Sequence, residues 1–165
     1  MVTTNAIKTL REQTGAGIMD CKKALEQVDG DVERAQEILR EQGIASAAKK
    51  ASRDTEEGIV ESYIHGGGRV GALVELNCET DFVARTGDFK ELAHEIAMQV
   101  AAMSPKYVSE DDVPEEEDVS EDEILISQNF IRDPALTIND LIKEAIGKLG
   151  ENIQIRRIAR FSLGE

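Results

Sequence analysis

The chain has 165 residues, room for one ordinary domain or two small ones. Its residues are 41% apolar, but Phe and Tyr together number six and Trp is absent, so a core must come from Ile, Leu, Val and Ala. A formal net charge of −14 repels phosphate backbones and argues against direct nucleic-acid binding.

In chain order, the first signals are three short helices. Thr3 or Thr4 can cap the first, which places Ile7 and Leu10 on one face and stops at Thr14-Gly15-Ala16-Gly17. The second carries Ile18, Cys21, Leu25 and Val28 on one face and ends at Asp29-Gly30. Asp31 can cap the third, which carries Val32, Ala35, Ile38 and Leu39 and is expected to end at Gly43. These helices fall within residues 1–45. Residues 46–57 have no large apolar face and read as a helical extension or linker. Residues 58–165 then read as an α+β core.

The core opens with a hairpin. A strand over 58–65 turns at Gly66-Gly67-Gly68 into a second strand, where Val70, Ala72, Val74, Leu76 and Cys78 face one way. Apolar spacing from Phe82 to Ala101 predicts a long helix, with a break near Gly87 if Asp88 and Glu91 act as an internal capping pair. Residues 108–123 hold ten Asp or Glu and no Lys or Arg, leaving a balance of only −4 for the rest of the chain. Such a block reads as a solvated loop. Residues 124–135 look irregular. Thr137 with Asp140 opens another helix, closed by Gly150, and a last strand from about 152 to 161 slips its alternation at Arg156-Arg157, as a bulge would. The result is β-β-α-loop-α-β, a small antiparallel sheet with packed helices. A sheet of three strands leaves an edge or face to be covered, by the first domain or by a second copy of the chain.

No catalytic constellation stands out. His65-Gly66-Gly67-Gly68 lacks an accompanying GxSxG nucleophile, and the glycines that follow fit neither a Rossmann nor a P-loop spacing. His65 and His94 have no third partner at zinc spacing, and Cys21 and Cys78 stand in no CxxC, so neither metal nor cofactor is expected. Both thiols are expected to be reduced and mostly buried, in a cytoplasmic protein without a membrane segment. Cys78 precedes a helix N-terminus, which can activate a thiol, but its strand face argues for burial. Thr80 or Asp81 can cap that helix. On helix-terminus physics alone, Phe82 in its first turn is expected to pack beneath the sheet as a staple. Near the glycine turn, Arg11, Met19, Lys22 and Lys23 cluster; an exposed Met beside Lys suits a protein contact, and a core Met is the alternative.

Three separated stretches carry a resemblance. Leu10 to Leu25, LREQTGAGIMDCKKAL, closely resembles the N-terminal signature of the elongation factor Ts family, which continues through Gly30-Asp31 and Leu39-Arg40 to Gly43. Glu75 to Ala84, ELNCETDFVA, resembles the second signature, and Gly150-Glu151-Asn152-Ile153 with Arg160-Phe161 resembles the family's ending. The resemblance implies an N-terminal bundle similar to ubiquitin-associated domains. It also implies a guanine-nucleotide exchange factor, not an enzyme, that binds GDP-bound and nucleotide-free elongation factor Tu. Carried onto this chain, Asp81 and Phe82, within Thr80–Val83, intrude near the GTPase's Mg²⁺ and phosphate region, while Arg11, Met19 and Lys22 grip its GTPase domain. The chain is short for the family, with space for one core copy, which implies a homodimer. The alternative is a stand-alone adaptor in which the first bundle alone binds a partner.

Overall fold

In the computed structural model, which describes residues 2–165, the Thr3 hydroxyl accepts a hydrogen bond from the Ala6 amide and starts α1 (Thr4–Thr14). Gly15, at φ 66°, ends it, donating its amide to the Arg11 carbonyl. Helix α2 (Ile18–Gln27) follows. The Asp31 carboxylate then accepts from the Arg34 amide and opens α3 (Val32–Lys50). Leu10, Cys21, Ala24, Leu25 and Ala35 form the buried centre of these helices. Two expectations fail here. Ile18 is not on the buried face but is 57% exposed, because the first turn of α2 overhangs that core. Helix α3 does not end at Gly43 but runs on to Lys50, so the first part of residues 46–57 is the helical extension and not a linker. Gly43 is a packing residue: its backbone faces that of Gly147, so close that a Cβ on Gly147 would lie 2.7 Å from the Gly43 Cα.

Residues up to Ser52, together with Lys143–Gly150, make one compact unit; Arg53–Ile142 and Glu151–Glu165 make the other. In the second, β1 (Glu57–His65) and β2 (Val70–Cys78) are joined by Gly66-Gly67-Gly68, all at positive φ. The last strand, β5 (Ile153–Ser162), pairs antiparallel with β2, giving the order β1-β2-β5. Glu75 lies opposite Arg157 and Leu76 opposite Ile155, so Arg156 is the extra residue of the expected bulge.

Helix α5 (Gly87–Met103) covers one face of this sheet. Its Phe89, Leu92, Ala93, Ile96 and Val100 are buried, as are Ala72, Val74 and Leu76 of β2. Each large side chain buried in this way stabilises the fold by about 1.5–3 kcal/mol. The expected long helix is two helices, α4 (Asp81–Ala84) and α5. The break falls where predicted, but Thr86 makes the cap by accepting from the Phe89 amide; Asp88 lies in the first turn.

Where the sequence suggests irregular chain over 124–135, a small hairpin forms and extends two residues beyond it, β3 (Asn129–Phe130) with β4 (Asp133–Thr137). Buried Gln99 of α5 holds it: its amide donates to the Gln128 side chain and the Asn129 carbonyl, and its oxygen accepts from the Ile131 amide. That sheet anchoring comes from a residue thirty positions away, beyond any local pattern. Thr137 and Asp140 exchange hydrogen bonds and open α6 (Ile138–Leu149), and Gly150 closes it at φ 77°. The acidic block carries two short 3₁₀ turns, each closed by a serine capping box, Ser109 with Asp112 and Ser120 with Glu123.

Candidate functional site

The site is built where β2 gives way to α4. Val74, Leu76 and Cys78 pin the strand to the core, and the chain then turns outward within two residues. Thr80 is the N-cap, in an extended conformation, and its hydroxyl accepts from the Val83 amide at 3.4 Å. Ala84 is buried and anchors the short helix from below. Phe82, in the first turn, is left 79% exposed. The staple expected from helix-terminus physics is therefore absent. Ala84 and Phe89 take the inward positions, and none of the described residues covers the Phe82 ring. A large exposed aromatic on a capped, anchored turn is an apolar surface held ready for a partner.

Asp81 stands beside it. Its carboxylate pairs with Arg85 at 2.8 Å, one helical turn on. Both side chains are well exposed, so the pair is worth little and is easily exchanged for another partner. Thr80, Asp81, Phe82 and Val83 are thus together on one corner of the second unit.

The other predicted residues lie in the first unit. Arg11 lies in the last turn of α1 and is exposed; Met19, 60% exposed, and Lys22 lie on α2, with Lys22 paired to Glu26 at 3.7 Å. Met19 is not a core residue. Ile18 beside it makes an exposed apolar pair that helical spacing had concealed by assigning Ile18 to the buried face. Position in the first turn of α2, where the core is not yet underneath, was the signal that could have found it.

The thiols are poorly placed for nucleophilic chemistry. Cys21 and Cys78 are both buried, and the Cys78 Sγ–H donates to the Thr80 carbonyl at 3.1 Å. Burial, and then the nearby Glu151 charge, push the Cys78 thiol up to about 11. His94 pairs with Glu61 at 3.3 Å and lies edge-on to Tyr63, which stacks on His65, so both histidines serve a surface cluster at the sheet edge. Among the described residues, no three His, Cys, Asp or Glu side chains come together as a metal site, and no helix is long and apolar enough to cross a membrane.

Exposed apolar side chains at the start of α2 and of α4 are surfaces of the kind that suit contact with another macromolecule. Comparison with known proteins makes that class specific. The family model described as elongation factor TS matches residues 3–132. Elongation factor Ts of Carboxydothermus hydrogenoformans is 50% identical, over the whole of this chain and 90% of its own length. That of Caldanaerobacter subterraneus subsp. tengcongensis is also 50% identical, over 98% of its length, and that of Coprothermobacter proteolyticus is 47% identical over 99% of both chains. The chain belongs to the elongation factor Ts family of translation elongation factors. The first of these alignments spans 196 positions against 165 residues here, so that relative carries residues that this chain lacks.

Proposed function

We propose that this chain binds elongation factor Tu and promotes GDP release by inserting Phe82, with Asp81 beside it, near the Mg²⁺ and phosphate region of the GTPase. The observation that carries this reading is the exposure of Phe82 on a turn fixed by the Thr80 cap. Its ring exchanges water for an apolar crevice in the partner, and the Asp81 carboxylate, freed from Arg85, perturbs the charges around the metal. A factor that prefers the nucleotide-free GTPase weakens GDP binding by the same factor that GDP weakens its own. About 2.8 kcal/mol of this coupling corresponds to roughly a 100-fold faster release. No covalent step is needed, so the chain acts by binding and is not an enzyme. Arg11, Met19 and Lys22, joined by Ile18, supply a second contact from the first unit. We further propose that the working species is a homodimer, since the outer face of the sheet exposes Val60, Ile64, Leu73 and Phe161.

The test is stopped-flow release of a fluorescent GDP analogue from purified elongation factor Tu. The wild-type chain is expected to accelerate release, and Phe82→Ala to lose about tenfold or more of that acceleration, the range for an anchoring aromatic. Equal acceleration by both would remove Phe82 from the site. No acceleration by either folded protein would overturn the exchange reading itself.

A further inference from the structure

The residues just before β5 form a contact that the reading above does not use. Glu151, between the end of α6 and the start of β5, directs its carboxylate at the β2–α4 corner. One oxygen accepts from the backbone amides of Glu79 at 3.1 Å and Thr80 at 3.0 Å; the other accepts from the Thr80 hydroxyl at 2.5 Å. The contact is reciprocated. The Glu79 carboxylate accepts from the Asn152 amide at 2.8 Å and meets the Arg53 guanidinium at 3.4 Å. The Asn152 side chain, itself buried, donates to the Arg53 carbonyl. Each corner therefore holds the other's backbone with a carboxylate, and charge-assisted bonds of this kind are the strong ones.

We infer that Glu151 is a positioning residue for Phe82, acting through Thr80 to fix the first turn of α4. This rests on the reading of Phe82 as the contact residue. A hydroxyl has one proton and two lone pairs. With the Thr80 proton committed to Glu151, a lone pair is left facing the Val83 amide, and the cap of α4 is set. The amides of residues 79 and 80, otherwise orphaned as the chain leaves the sheet, are satisfied by the same carboxylate. Removing Glu151 frees the hydroxyl to rotate and leaves two amides without acceptors. The four-residue helix α4 cannot hold its own direction, since one turn of helix is unstable alone. The Phe82 ring then samples many orientations, and the energy of ordering it falls on the step, after docking, in which the ring enters the partner.

The experiment is a double-mutant cycle on stimulated GDP release, using the full-length chain with Glu151→Ala, Phe82→Ala and both. Glu151→Ala is expected to lower the maximal stimulated rate by about tenfold or more while changing the half-saturating concentration of factor by less than about threefold. In the Phe82→Ala background it is expected to add less than about twofold, because it acts through that ring. Losses that simply multiply would overturn the inference. So would an unimpaired Glu151→Ala beside an impaired Phe82→Ala, which leaves the Phe82 reading standing. A silent Phe82→Ala would instead overturn that reading, and this role for Glu151 with it. Amide hydrogen exchange on the milder Glu151→Gln variant needs no partner and covers the case in which the alanine variant does not fold. The Glu79, Thr80 and Val83 amides are expected to lose about tenfold or more of their protection while those of Val74 and Leu76 keep theirs. Unchanged protection at the corner would overturn the clamp.

Discussion

The thiol of Cys78 lies at the hinge between the buried strand and the exposed corner, and it reports on both. Burial is the main force raising it to about 11, from an ordinary value of 9.0, and the Glu151 carboxylate adds to it. A group whose folded value is raised stabilises the fold fully below its unfolded value and loses that contribution as pH rises through the folded value. The contribution of Cys78 is therefore complete at neutral pH and is lost between about 9 and 11. Below that window the native protein carries about 100-fold less thiolate than the unfolded chain. Alkylation of Cys78 at pH 8, followed by peptide mass spectrometry, is expected to be slower in the native protein than in urea by at least about that ratio. Native labelling at the unfolded rate would mean that the corner is open. The sequence made this burial legible, because Cys78 shares its strand face with Val74 and Leu76. It did not make the exposure of Phe82 legible on physical grounds: whether a first-turn aromatic folds under or stands out depends on Ala84 and Phe89 having already filled the space below. The family resemblance supplied what periodicity could not.

Elements were readable where their boundaries are made by local chemistry. The caps at Thr3, Asp31 and Thr137, the triglycine turn and the slip at Arg156-Arg157 each depend on residues a few positions apart, and each appears as expected. The exceptions depend on distant residues. The hairpin of β3 and β4 is held by Gln99, and α3 continues past Gly43 at the place where Gly147 packs against it. That packing is lopsided, which gives a test. A Cβ on Gly43 would meet the Gly147 Cα at 3.7 Å, an ordinary contact, whereas a Cβ on Gly147 would meet the Gly43 Cα at 2.7 Å, backbone against backbone. Gly43→Ala is therefore expected to stabilise the protein by about 0.5–1 kcal/mol through helix propensity. Gly147→Ala is expected to destabilise it by about 1–3 kcal/mol, because two helix backbones in the same unit must separate. Denaturant unfolding of the two variants reads the difference, and equal shifts would show that the glycine contact is not tight.

At the scale of the whole molecule, the open question is what covers the sheet. Helix α5 takes one face; the other carries Val60 and Ile64 from β1, Leu73 from β2 and, 75% exposed, Phe161 from β5. The bulge is what brings Phe161 there. It shifts the register by one residue at Arg156, so that Phe161 falls opposite Gly71, itself opposite Ile64, while Arg160 turns inward to donate to the Ala101 carbonyl near the end of α5. The slip could be read in the sequence, but the face it assigns to Phe161 follows only from the pairing. Glu75 lies 2.7 Å from Arg157 and 3.9 Å from Arg156, so one carboxylate serves two guanidiniums and one positive charge is left over on this face. The four exposed apolar side chains suit an isologous contact with a second copy of the chain, with the well-exposed arginines left to solvent at its margin. Sedimentation at micromolar concentration is expected to give a dimer for the wild type and a folded monomer for Phe161→Glu, since the new carboxylate would have to be desolvated among the apolar side chains of the contact. A monomeric wild type would remove the dimer altogether. A dimeric Phe161→Glu would keep the dimer and move its interface off the sheet, leaving this face for another partner. A monomeric variant that still accelerates GDP release would separate pairing from exchange, and would assign the exchange activity to each chain's own Phe82 corner and α2 patch.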